Sequence, residues 1–415
     1  MTRAAKNHRR TMTAADAGGR WRALALLSLA ELLGMSPWFS AAASAPALRA
    51  EWGLGDAAAA WLTLAVQFGF VAGTLLSAVL NLPDIMRVRS LFAVSAFGAA
   101  AASIWTGLYA GSAAQVIGLR FLTGFSLAGL YPPGMKLMAT WFRAGRGMAI
   151  GVLVGSLTVG KAFPYLINSL GAGNWRQNEL MVASAAVAAG FIVMFFVGEG
   201  PYAQPLARFD IHQVGAVFRN RGLRLANFGY FGHMWELYAM WTWTPVMIRA
   251  SVEAAGGASR LAELSSFMVI GAGAAGCVLA GIVADRIGRT LVTSAAMIVS
   301  GACCLAIGFL YQSSPALLVA LAVIWGVAVV ADSAQFSACI TELGDPRYIG
   351  TALTLQTCIG FLLTTASVRL LPVLEHWVGW RFAFMALAPG PALGLLAMLR
   401  LRALPEAGRI AQGRR

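Results

Sequence analysis

Apolar residues along this chain gather into twelve runs of about 20 residues, parted by short clusters of glycine, proline and charge. The runs lie near 23–43, 58–80, 91–111, 114–138, 147–169 and 179–198, then near 223–248, 264–284, 291–311, 315–338, 348–371 and 382–400. About 20 residues at 1.5 Å rise cover the roughly 30 Å hydrocarbon core of a bilayer, so each run predicts one membrane-crossing helix. Between the sixth and seventh runs, Gly200, Pro201, Pro205, Arg208, Asp210, Arg219 and Arg221 interrupt the pattern and mark a linker. The fold class that follows is an all-α membrane protein of twelve transmembrane helices in two pseudo-symmetric six-helix bundles. The expected organisation is a disordered tail over 1–20, one bundle over 21–199, a linker over 200–222, a second bundle over 223–402 and a tail over 403–415.

Composition agrees with a bilayer protein: 59% of residues are hydrophobic, 12% are charged and the mean hydropathy is +0.70. The net charge of +14 would raise the question of nucleic acid in a soluble chain. Here about 23 of the 31 Lys and Arg fall in the tails and the even-numbered loops. By the positive-inside rule that asymmetry places both termini and the linker in the cytoplasm of a cell with an inner (plasma) membrane, and it excludes nucleic acid as partner. Cys277, Cys303, Cys304, Cys339 and Cys358 all lie in apolar runs without metal-ligand spacing and read as small core residues. The basic stretch before the first run resembles a signal peptide, but Glu31 inside that run and the eleven runs after it argue for a retained helix.

The halves carry traces of duplication. Glu31-Leu32-Leu33-Gly34-Met35-Ser36-Pro37-Trp38 returns 205 residues on as Glu236-Leu237-Tyr238-Ala239-Met240-Trp241-Thr242-Trp243. Glu, Met and Trp at i, i+4 and i+7 share one helix face. Asp84 and Asp285, Gly147 and Gly350, and Trp175-Arg176 and Trp380-Arg381 recur at offsets of 201, 203 and 205. Halves of equal topology are related by an axis along the membrane normal.

The strongest local motif is GIVADRIGRT at 281–290. Gly281 permits close helix packing, Gly288 a tight turn, and Asp285, Arg286 and Arg289 can latch onto helix ends. With Gly281, Asp285, Arg286, Gly288 and Arg289 in place, the loop resembles the G-x-x-x-D-R-x-G-R signature of the major facilitator superfamily. The first-half copy, NLPDIMRVRS at 81–90, keeps Asp84, Arg87 and Arg89 but lacks the glycines. Arg120 to Gly124 resembles the family's R-x-x-x-G pattern, and the likeness runs over roughly 20–402. The resemblance implies a permease of bacterial type that works by alternating access. The fifth run keeps only Gly151 and Gly155 of the antiporter pattern, with Ser156 where proline belongs, and the glycine-rich asparagine segments of nitrate porters are absent.

Charge inside an apolar run is costly, about 2.5 to 3.5 kcal/mol on insertion scales, and marks candidate chemistry. Glu31 and Glu236 are candidate proton acceptors or substrate contacts, the alternative being a carboxylate neutralised by a fixed partner. His233, three residues before Glu236, can share its face and a proton, or simply hydrogen-bond to backbone. Lys161 lies about 14 residues into its run, too deep to snorkel, and either pairs with a membrane acid or attracts an anion. Arg120 is a second buried cation, structural or substrate-directed. Trp38, Trp243 and Tyr238 are candidate aromatic contacts for an organic solute, with packing as the default. Asp332 is assigned with Asp84 to the gate, as a partner of Arg286 or Arg289. Arg369 sits close enough to a run's end to snorkel.

No nucleotide-binding lysine loop and no H-E-x-x-H spacing occurs, so neither an enzyme nor a primary pump is indicated, and no cofactor or metal is called for. The reading is a monomeric secondary transporter whose partners are a small-molecule substrate, protons and the lipid bilayer. Its preferred cargo is an organic or inorganic anion moved by proton symport, since buried Lys161 and Arg120 accompany protonatable Glu31, His233 and Glu236. The alternative is proton-coupled efflux of a hydrophobic or cationic compound, favoured if the two glutamates face the cavity and Lys161 is salt-bridged away from it. A sensor built on the same scaffold is disfavoured because the chain has no appended soluble domain to receive a signal.

Overall fold

The computed structural model describes residues 14–142, 145–171, 174–202, 210, 213–345 and 349–414. Part of the expected tail and much of the linker lie outside these. Among the described residues eleven helices are long and apolar enough to cross a membrane. In the first half they are α1 (Gly18–Ala43), α2 (Ala57–Val79), α3 (Val88–Tyr109), α4 (Ala113–Ala139), α5 (Gly147–Ser169) and α6 (Trp175–Phe196). The second half opens with α7 (Arg221–Ala254), a 34-residue helix less hydropathic than the rest because it carries His233, Glu236 and a crowd of tyrosine and tryptophan. It continues with α8 (Ser259–Ile287), α9 (Arg289–Leu310), α10 (Pro315–Leu343), α11 (Ile349–Val378) and α12 (Trp380–Arg402). No strand occurs among the described residues. Helix already begins at Ala14, so residues 14–20 are not the unstructured tail expected of them.

Several spans are broken inside the membrane. Pro37, which lacks an amide hydrogen, turns α1 into a 3-10 stretch at Ser36–Phe39. α4 breaks between Leu127 and Tyr131, ahead of Pro132 and Pro133, and α10 breaks at Asp332. The α4 and α10 breaks stand 203 residues apart, the offset that relates Gly147 to Gly350, so the duplication extends to the irregularities. Breaks leave backbone carbonyls and amides without helical partners, which is tolerated at depth only where protein surrounds them.

The bundles meet along two seams, α5 against α8 and α2 against α11. Along the first, Gly147, Gly151 and Gly155 recur every fourth residue on α5 and face Asp285, Cys277 and Ala274 of α8. A Cβ at Gly151 would stand 2.7 Å from the Cys277 carbonyl oxygen, so only a glycine lets the helices approach this closely. Gly288, at φ 102°, turns α8 into α9 in a backbone region that side chains disfavour. Past α12 the chain does not leave the protein. A 3-10 segment, Pro405–Gly413, folds back beneath α10 with Ala407 and Ile410 fully buried.

Candidate functional site

The centre of the molecule is built around Lys161, which α5 carries into the space between the bundles, where it is 3% exposed. Its ammonium donates to the Tyr238 hydroxyl at 2.5 Å. It also lies over three aromatic rings, 4.2 Å from the Trp38 centroid, 4.9 Å from Tyr238 and 5.2 Å from Trp241. Cation–π contacts strengthen when desolvated and partly replace the lost water. Among the described residues no carboxylate oxygen comes within 4 Å of this ammonium. Lys161 belongs to the first bundle and Tyr238 to the second, so the bond spans the interface.

Trp38 reaches that position through the 3-10 break in α1. Arg120, fully buried on α4, donates to the Trp38 carbonyl and, at 3.0 Å, to Ser40 Oγ. It thereby satisfies acceptors that the break exposes, while buried Glu179 of α6 balances its charge. Arg120 thus sits inside the first bundle and acts on the centre through Trp38. The Trp38 ring in turn packs edge-on to Phe70 of α2 and against Tyr238 and Phe361 of the second bundle. Beside these, Thr364 Oγ1 donates to Gln67 Oε1 at 2.9 Å across the α2–α11 seam. Thr364 follows Lys161 by the same 203 residues, so related positions on α5 and α11 both tie the halves together.

Glu31 and Glu236 occupy related places, one against α3 and α4, the other against α9 and α10, but their surroundings differ. Glu236 Oε1 accepts from Trp325 Nε1 at 2.5 Å and from Cys304 Sγ at 3.2 Å, and Oε2 accepts from Ser300 Oγ at 3.0 Å. All three donors belong to the second bundle. Glu31 is wholly buried and neither carboxylate oxygen has a hydrogen-bond partner. Its Oε2 lies against Gly134, where a Cβ would come within 2.8 Å, and Phe92 borders the same point. An ionised carboxylate there has no hydrogen bond to offset its desolvation and only the more distant charge of Lys161 to favour it, whereas a protonated one sheds that cost.

His233 does not share its proton with Glu236. Its Nδ1 lies 2.8 Å from Asp332 Oδ1, and its ring packs on Phe336 and Tyr230. The expectation that Asp332 pairs with Arg286 or Arg289 is corrected accordingly, because Asp332 forms the break in α10 and meets α7. The guanidinium of Arg289 is met instead by Glu342 further along α10, at 2.7 to 3.1 Å, and by Gln335 at 2.8 Å, with Asp285 at 3.5 Å. Arg286 is exposed, and the Asp285 carboxylate lies over Gly147 in the first turn of α5. The Asp84 side chain falls outside the described residues. Trp243 Nε1 donates to the Val368 carbonyl at 2.9 Å within the second bundle and does not touch Lys161.

Sequence reasoning missed Glu342, Gln335 and Glu179. Glu342 and Glu179 sit near the ends of their runs, where carboxylates pass as interfacial. Trp241 lies three residues from Tyr238 on the same helix face, within the repeated segment.

Two helical bundles closed around a buried cation and a carboxylate without a hydrogen-bond partner give the architecture of a multi-pass membrane protein. The profile of the Major Facilitator Superfamily matches residues 27–276, more than half of the chain, and the protein belongs to that superfamily. Over 266 residues it is 23% identical to a probable sulfoacetate transporter of Cupriavidus necator, covering 59% of this chain and 60% of that protein. Over 223 residues it is 28% identical to a probable actinorhodin transporter of Streptomyces coelicolor, covering 50% of this chain and 36% of that protein. The chain therefore matches less than two thirds of the length of these relatives. In fold it is similar to the proton:xylose symporter XylE bound to 6-bromo-6-deoxy-D-glucose, with a TM-score of 0.71 at 15% identity over 93% of this chain and 96% of that one. It is likewise similar to the nucleoside transporter NupG, with a TM-score of 0.69 at 13% identity over 92% and 99%.

Proposed function

We propose that this protein is a proton-coupled symporter of a small organic anion, acting as a monomer in the inner (plasma) membrane with both termini in the cytoplasm. Lys161 is the anion-binding cation and Glu31 the proton carrier. The observation that carries this reading is a buried ammonium with no carboxylate within 4 Å, held by a hydroxyl and three aromatic faces. A cation so placed gains most from an anion that enters with the substrate. The same observation disfavours efflux of a cationic compound, since Lys161 is not salt-bridged away. The sulfoacetate named for one relative is an organic anion of this class.

Symport of one proton with a monoanion moves no net charge, so the pH difference drives it; sulfoacetate, a dianion near neutral pH, needs two protons for the same balance, and the membrane potential is therefore clamped at zero in the test. Each pH unit is worth about 1.36 kcal/mol, or roughly tenfold accumulation. The test is uptake by proteoliposomes, acidic outside, offered sulfoacetate, other short carboxylates and sulfonates, and a cationic dye. The expected result is anion accumulation scaling with the pH difference, abolished in Lys161→Met. Glu31→Gln should retain anion counterflow yet lose accumulation. Dye movement without anion movement, or anion flux indifferent to the pH gradient, would reject the proposal.

A further inference from the structure

The hydroxyl on Lys161 comes from the opposite bundle, and this bears on what the empty carrier does. Resting on the anion reading above, we infer that Tyr238 is a built-in stand-in for the substrate: its hydroxyl occupies the place on Lys161 that an oxygen of the anion takes. Displacement of that hydroxyl removes the hydrogen bond that joins α5 to α7 at the centre and so weakens the hold of one bundle on the other.

Three observations converge on this. First, the Lys161–Tyr238 bond is short, buried and crosses between α5 and α7. Second, the two indoles that flank the same ammonium, Trp38 and Trp241, each bury an Nε1–H with no acceptor. A buried donor without a partner costs roughly 1 to 3 kcal/mol, and two of them at one cation mark a place lacking acceptor oxygens. One hydroxyl supplies one oxygen; a carboxylate supplies two and a sulfonate three. The ligand class that fits is therefore a compact oxyanion. A neutral sugar hydroxyl can accept from the ammonium as Tyr238 does, but it brings no negative charge to balance it. Third, the Tyr238 ring also packs on Trp38, Phe39, Trp241 and Phe361, so it joins both bundles and moves with the contacts that close the centre.

A ligand shifts a conformational equilibrium only through differential contacts in the two states. Here the difference lies in which oxygen holds Lys161, the tyrosine's when empty and the anion's when loaded. Phenylalanine at 238 keeps the ring and removes the competitor. An internal competitor lowers apparent affinity in proportion to its occupancy, so its removal should raise affinity.

Alkylation of Cys277 reports opening, because this residue is 1% exposed and its thiol is enclosed between Thr158 of α5 and the Val330 carbonyl of α10, 3.6 Å away. Peptide mass spectrometry of the purified protein after a maleimide pulse reads it without changing the other cysteines. Sulfoacetate is the probe, titrated against wild type, Tyr238→Phe and Lys161→Met. Tyr238→Phe should label several-fold faster than wild type without probe, and its labelling should respond to several-fold less sulfoacetate. Lys161→Met, which breaks the same bond from the other bundle, should also label faster but ignore the probe. Wild-type labelling and dose dependence in Tyr238→Phe would overturn the inference, as would faster labelling with weaker response to the probe. If wild-type proteoliposomes accumulate the anion and Tyr238→Phe is indistinguishable, the stand-in alone fails. If wild type accumulates no anion, the anion reading fails, and the stand-in fails with it.

Discussion

At the scale of single residues, the two repeated glutamates are the sharpest contrast in the molecule. Glu236 is saturated by an indole, a thiol and a hydroxyl, while Glu31 is equally buried and accepts nothing. Substitution by glutamine should therefore act in opposite ways. In Glu236→Gln the amide oxygen can keep Trp325 and Cys304, but the nitrogen takes the place of the acceptor of Ser300, whose hydroxyl must turn to accept, and this rearrangement should cost about 1 kcal/mol. The measurable outcome is a lower melting temperature in detergent, with proton-driven uptake per folded molecule unchanged. Glu31→Gln removes a titratable group that no neighbour bonds, so its melting temperature should hold or rise while accumulation is lost. Equal loss of coupling in both variants would overturn the distinction. The sequence showed both carboxylates and their repeat but not this asymmetry, because the donors to Glu236 lie 64 to 89 residues away on helices whose rotation no periodicity reveals. The same blindness paired His233 with Glu236, three residues off, when its partner is Asp332 at a distant break.

At the scale of elements, the twelve apolar runs were legible because membrane span length is set by bilayer thickness. The irregular pieces were not. Pro37 is visible in sequence, but that the 3-10 break it opens is held by Arg120 requires α4 to lie alongside. The C-terminal stretch is polar and short, with nothing to distinguish it from a solvated tail, yet Pro405–Gly413 is docked. Ala411 N–H donates to Glu342 Oε2 at 3.0 Å, on the same carboxylate that binds Arg289, and Arg414 reaches the Asp285 carbonyl. Ala411 and Gln412 hold positive φ values of 49° and 58°, a conformation non-glycine residues adopt only when their surroundings impose it. Ile410 supplies the apolar part of that imposition, being fully buried. Ile410→Ala should destabilise the protein by about 2 to 4 kcal/mol if the site relaxes as a core does. Limited proteolysis should then cut beyond Leu404, where the native protein resists. Wild-type resistance in this variant would mean that the carboxylate and the arginines alone hold the segment.

At the scale of the whole molecule, the proposed transport requires the α5–α8 seam to close and to part. Its closure depends on glycines, since α5 offers only hydrogen at 147, 151 and 155 toward α8. Gly151 and Gly155 entered the sequence reading only as remnants of an incomplete antiporter pattern; in the structure they are the surface on which one bundle rests against the other. A leucine at 151 would drive its side chain into the backbone around Cys277, where a Cβ alone already stands 2.7 Å from the carbonyl oxygen. Backbone on both sides leaves no flexible atom to yield, so the helices must separate along that stretch. The seam ends at Asp285 and the face that carries both termini, hence Gly151→Leu should hold that face open while leaving each bundle folded. The expected outcome is Cys277 alkylation raised at least tenfold and insensitive to sulfoacetate, uptake reduced to background, and a far-UV circular dichroism spectrum like that of the native protein. Gly118, on α4 with open space where its Cβ would project, is the matched control, and Gly118→Leu should change neither labelling nor uptake. Slow labelling with normal transport in Gly151→Leu would mean that the bundles part by some motion other than separation along α5 and α8.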